Sequence, residues 1–185
     1  MADDCELMAR VREGEQTALE LLLARWESPV FRFFYRLGCP PDRVEDLTEE
    51  VLVAVYRQRH RYDPGRPFAP WLFGIARLVW KEYRRQLGRE LSYAVPLSAT
   101  RDMAASDRSP ADLAEAREEA EVVRRAIECL PEDERAAFIL RHYQGLSYAE
   151  IAQALQAPLG TVKWWIHEGV RHLEASLKLS LGRGG

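Results

Sequence analysis

Apolar residues recur along most of the chain at intervals of three and four. Leu19, Leu22, Leu23, Trp26, Val30, Phe33 and Leu37 keep that interval through residues 15–37, and Val44, Leu47, Val51, Leu52 and Val55 keep it through the next segment. A 3.6-residue period places such positions on one face of a helix, whereas a half-buried strand alternates every second residue. No stretch bounded by turn residues alternates in that way. The pattern predicts an all-α protein.

Breaks in the pattern divide it. GCPPD at 38–42 stops the first long helix, and Asp42 with Glu45 reads as a reciprocal cap for the second. RYDPGRP at 61–67 ends that helix, after which residues 68–87 resume as an aromatic-rich basic helix or helix pair. Residues 1–91 therefore read as one compact helical domain. Between Ser92 and Ser109 the period is lost among small and polar residues, which predicts a flexible linker over 92–109. Ser109, Pro110 and Asp112 restart a helix, and 110–185 read as a second small helical domain. It comprises an acidic helix to Cys129, a helix from Pro131 to Tyr143 ended by Gly145, and two short helices after it.

Those last two helices have helix-turn-helix spacing. Ser147 and Glu150 form a capping box, Ile151 and Leu155 face inward, Pro158 and Gly160 make the turn, and Thr161 caps the final helix. In such a unit the second helix is the candidate DNA reader. At 100° per residue Val162, Ile166, Val170 and Leu173 share its inner face, with Trp164, His167, Glu168 and Arg171 opposite and Lys163 and Trp165 at the flanks. An outward tryptophan and carboxylate are unusual for a surface that must approach phosphates. Glutamate can accept a hydrogen bond from cytosine N4, but an exposed indole more often marks a protein interface.

With 185 residues and 47% hydrophobic composition the chain is long enough for real cores. Its net charge of -3 conceals an asymmetry: residues 57–89 hold nine Lys/Arg against two Asp/Glu, and residues 96–136 hold six against eleven. A polyanionic partner at the first stretch and an acidic solvated segment at the second follow from this. Three dispersed cysteines, Cys5, Cys39 and Cys129, form neither a disulfide framework nor a metal site, and no cofactor motif or catalytic constellation is present. The acidic start is not that of a signal peptide, and no apolar run approaches transmembrane length, so a soluble cytoplasmic protein without membrane insertion is expected.

The basic stretch is interleaved with Tyr62, Phe68, Trp71, Phe73, Trp80 and Tyr83. Rings that stack unpaired bases and cations that follow the backbone are what single-stranded DNA binding requires. Phe68, Phe73 and Trp80 are assigned to the core; Trp71, Arg77, Lys81, Arg84 and Arg85 are the candidates for contact.

Two blocks carry a family resemblance. DLTEEVLVAVYRQRHRYDPGRPFAPWLFGIARLVWKEYRR resembles region 2 of extracytoplasmic-function (ECF) sigma factors, and LPEDERAAFILRHYQGLSYAEIAQALQAPLGTVKWWIHEGVRHL resembles their region 4. The likeness implies a protein that binds core RNA polymerase and directs it to promoter DNA, commonly under the control of an anti-sigma factor. It implies polymerase docking through Asp46, Glu49, Glu50 and Leu52, with Glu49 where the family more often has Gln. It implies that the minus-10 element is melted and read near Trp71, Leu72, Ile75 and Ala76, with Arg77, Leu78, Lys81, Arg84 and Arg85 on the same helix. Leu78 stands where Asn is common, and it cannot offer an amide to a base. Minus-35 recognition falls to Thr161, Lys163, Trp164, Trp165, His167, Glu168 and Arg171, where the usual Ser, Arg and later Arg are replaced by Trp164, Trp165 and Glu168.

Three readings follow. The first is an alternative sigma factor with altered minus-35 preference. In the second, a sigma-like adaptor binds polymerase while its region 4 engages a protein through the Trp pair. The third, a free helix-turn-helix repressor, leaves the basic aromatic stretch unexplained, since binding a duplex does not require stacking rings.

Overall fold

A computed structural model describes residues 2–91 and 123–181. Among them every regular element is helical. In chain order these are α1 (Asp4–Arg12), α2 (Gln16–Arg36), α3 (Pro41–Arg57), a 3-10 turn (Arg59–Arg61), α4 (Phe68–Leu91), α5 (residues 123–128), α6 (Glu132–His142), α7 (Tyr148–Leu155) and α8 (Leu159–Leu181). The expected linker 92–109 and the helix restart at Ser109, Pro110 and Asp112 lie outside the described residues.

Helices α1 to α4 form the first unit. Asp3 caps α1 and Glu6 returns the bond, so the short first helix begins with two otherwise orphaned amides satisfied. The core is aromatic: Phe33 and Phe73 meet at 5.2 Å between ring centroids, Trp26 packs edge-on against Phe68 at 5.7 Å, and Phe34 lies 6.3 Å from Trp80. Phe68, Phe73 and Trp80 are buried, in agreement with their assignment to the core. The loop before α4 is pinned by the Tyr62 hydroxyl, which donates to the Arg66 carbonyl at 2.5 Å, and by the Gly65 amide, which donates to Asp63.

Two caps differ from expectation. Helix α3 begins at Pro41 after Pro40, with no side-chain cap, so the Asp42–Glu45 box does not form. The reason is covalent: a proline at the first helical position has its backbone angle already set and no amide hydrogen that needs a partner. Helix α8 begins at Leu159, which puts Gly160 and Thr161 inside its first turn rather than before it. The turn is made instead by Gln156, whose φ of 50° is left-handed, and Thr161 does not cap. Nor is the final helix short, at 23 residues. The Ser147–Glu150 box does form, with the Ser147 amide donating to Glu150 at 2.8 Å.

In the second unit α6, α7 and α8 enclose Ala137, Ile139, Leu140, Ile151, Leu155, Val162, Ile166 and Leu173. The buried Glu134 carboxylate is met by His172 Nδ1 at 3.0 Å, tying α6 to α8. The two units pack directly: α7 lies along α4, and α6 reaches the C-terminal end of α2. Among the described residues no helix is long and apolar enough to cross a membrane.

Candidate polymerase and nucleic-acid interfaces

Helix α3 buries Val44, Leu47, Thr48, Val51 and Val55 against its neighbours. That leaves Asp46, Glu49 and Glu50 exposed on the opposite side. Asp46 is engaged by Arg43 at 3.0 Å. Leu52, expected on this face, is half-buried; Val53 and Tyr56 are the exposed apolar residues instead. At 100° per residue Asp46, Glu49, Glu50, Val53 and Tyr56 fall within a sector of about 120°. Sequence reasoning missed the last two, although the same helical count that grouped the carboxylates places them there. An acidic row beside an apolar ridge suits a basic, amphipathic partner helix.

Helix α4 carries the predicted minus-10 residues. Leu72, Ile75 and Ala76 are core, so of the four named positions of the Trp-Leu-x-x-Ile-Ala segment Trp71 alone presents surface. Its ring lies 5.1 Å from Tyr62 and 5.8 Å from Phe68, in an aromatic layer at the head of the helix. Lys81, Arg84 and Arg85 are exposed, as is Leu78. Arg85 is held by Glu82 at 2.7–2.9 Å, a pairing that keeps its guanidinium pKa above the ordinary value.

Arg77 behaves differently. It is 9% exposed, and its Nη2 donates to Asp133 of α6 at 2.5 Å while Nη1 has no hydrogen-bond partner. Sequence spacing placed Arg77 on a DNA-facing stripe; packing of the second unit covers it. Between α4 and the α7–α8 turn lies a cleft of about 310 Å³ that brings Arg77, Leu78 and Lys81 together with Thr161 and Trp165. Residues predicted for two different promoter elements therefore line one cavity here.

On α8, Lys163, Trp164 and His167 are exposed and Trp165 is half-buried. Trp164 has 54% of its surface in solvent. Arg171 Nε donates to Glu168 at 3.0 Å and Nη2 donates to the same carboxylate oxygen, so the outer face presents a self-neutralised pair.

These features have counterparts among known proteins. Residues 22–90 match the family model for Sigma-70 region 2, and residues 120–173 match that for Sigma-70, region 4, the arrangement of a sigma-type initiation factor. The ECF RNA polymerase sigma-E factor of Escherichia coli K12 is 33% identical over 171 residues, covering 86% of each chain. Among solved structures, CnrH in complex with the cytosolic domain of CnrY superposes with a TM-score of 0.73 at 25% identity, covering 95% of this chain and 97% of that one. RpoE of Bartonella quintana, solved with the anti-sigma factor NepR, shares the fold with a TM-score of 0.73 at 24% identity, covering 86% and 96%. The chain belongs to the ECF sigma factors, regulators of transcription initiation.

Proposed function

We propose that this chain, in the cytoplasm, joins core RNA polymerase through the acidic and apolar face of α3, opens and reads the minus-10 element with α4, and contacts the minus-35 element through α8 with an atypical preference. The polymerase supplies the chemistry; the chain supplies address and melting. The observation that carries the atypical preference is the outer face of α8, where Trp164 is exposed and Glu168 neutralises Arg171. Counterion release by cations drives duplex binding, and Lys163 is the one α8 cation in the predicted minus-35 set without an ion pair. That helix should accordingly contribute little non-specific affinity and rely on contacts to bases.

Control by an anti-sigma factor belongs to the same reading, since CnrH and the Bartonella protein are each bound by a partner protein. A second reading is favoured by the same exposed Trp164: region 4 engages a protein, and the chain acts as an adaptor on polymerase. Run-off transcription of fragmented genomic DNA by core polymerase, with and without the chain, separates the two. Discrete new start sites with shared upstream sequence establish promoter selection; core binding without new starts favours the adaptor.

A further inference from the structure

One cation of the α4 face assigned to the minus-10 strand, Arg77, is taken by the chain itself, and a second, the exposed Arg84, is approached. Asp133, in the first turn of α6, takes Arg77 at 2.5 Å, and Glu132 lies 3.8 Å from Arg84. Carboxylates in a first turn are favoured by the helix dipole, and that alone accounts for their presence at the end of α6. It does not account for their engaging cations of α4. A guanidinium pairs with carboxylate and phosphate through the same planar geometry, so Asp133 occupies Arg77 as a backbone phosphate would.

Other contacts hold the second unit in that place. Arg135 Nη1 donates to the Leu37 carbonyl at 2.7 Å across the junction, and its Nη2 donates to the Leu130 carbonyl at 2.8 Å within its own unit. The Arg36 guanidinium lies 4.0 Å from the centre of the Tyr143 ring, and Gln144 donates to the Pro29 carbonyl at 3.3 Å. At the centre of the junction α4 has Gly74, where an added Cβ meets the Ala154 carbonyl oxygen at 3.5 Å.

We propose that α6 and α7 form an intramolecular competitor for the minus-10 strand, with Asp133 mimicking a DNA phosphate on Arg77, so that the chain withholds this cation from the strand until the two units separate. This rests on the reading of α4 as the minus-10 helix. It differs from control by an anti-sigma factor in needing no second protein.

The test uses the full chain and two kinds of opening variant. Glu132→Gln with Asp133→Asn removes the mimic. Tyr143→Ala with Gln144→Ala loosens the junction at α2 and leaves every charge near α4 in place, so a gain cannot be ascribed to lost repulsion. For each, affinity for a fluorescein-labelled random-sequence single-stranded DNA pool is measured by anisotropy and the radius of gyration by X-ray scattering. Both variants are expected to expand and to bind at least about fivefold tighter than the parent, a coupling of ordinary size. Adding Arg77→Ala is expected to weaken binding strongly in the opened variants, because the freed guanidinium is the group that takes the phosphate.

An unchanged radius of gyration in both variants overturns the latch. Expansion without tighter binding overturns the competition. Run-off transcription with core polymerase reads the sigma activity separately: starts that persist leave the functional reading standing when the latch fails, and their loss in the parent strikes that reading itself.

Discussion

Glu168 and Arg171 neutralise each other on the outer face of α8, one turn apart, with both guanidinium bonds going to a single carboxylate oxygen. The pairing consumes a cation where a duplex-binding helix needs one. Replacing Trp164 and Glu168 together by Arg frees Arg171 and adds two cations. The double variant is expected to bind a generic ECF minus-35 duplex more tightly, with a salt slope steeper by about three if the two new arginines and the freed Arg171 each reach a phosphate. Duplex titrations at several salt concentrations check this; an unchanged affinity would mean that this surface does not face DNA.

Asp46 and Glu50 are exposed on α3 and belong to no buried network. Asp46→Lys with Glu50→Lys is therefore expected to leave folding intact and to abolish association with core polymerase. Circular dichroism reads the first and co-migration with core on gel filtration the second. Retained association at full helicity removes α3 from the docking surface.

Gln156 adopts a left-handed conformation that costs a residue with a Cβ about 1–2 kcal/mol. Its amide serves as the cap of α7, which glycine would preserve. Gln156→Gly is expected to stabilise the chain by about 1 kcal/mol after glycine's larger entropy loss is deducted. Urea unfolding would show it as a higher midpoint with the same slope.

Phe73 is wholly buried between Phe33 and Trp26. Phe73→Ala is expected to cost about 3–5 kcal/mol through lost transfer energy and the cavity left behind. The same unfolding experiment measures it.

Burial pushes the Cys39 thiol up to about 12. In the unfolded chain the thiol ionises near its ordinary value of 9.0, so folding favours the protonated form. The contribution is complete below pH 9 and declines as the pH rises toward 12. At pH 8 a maleimide is expected to label the exposed Cys129 quickly and Cys39 only on unfolding. Mass spectrometry of labelled peptides distinguishes them.

Helix identity was legible because the apolar period of Leu19 to Leu37 and of Val44 to Val55 has one geometric solution. The Ser147–Glu150 cap was legible for a similar reason, as both partners lie within one turn. Gln156 was not, since a left-handed residue other than glycine leaves no mark in composition, and Pro158 with Gly160 gave the more obvious turn signal. The burial of Arg77 was beyond sequence reasoning too. Asp133 is 56 residues away, and only the packing of α7 on α4 brings the pair together. Val53 and Tyr56, by contrast, lie within reach of a helical projection, which places them on the same face as Glu49 and Glu50.

At Gly74 the fit between α4 and α7 leaves room for a methyl group and little more. Alanine there would touch the opposing main chain at ordinary contact distance; anything longer would drive a wedge between the helices. That gives a design handle on this chain: a bulky side chain at position 74 would take from it the option of folding back on itself, whatever its promoters read.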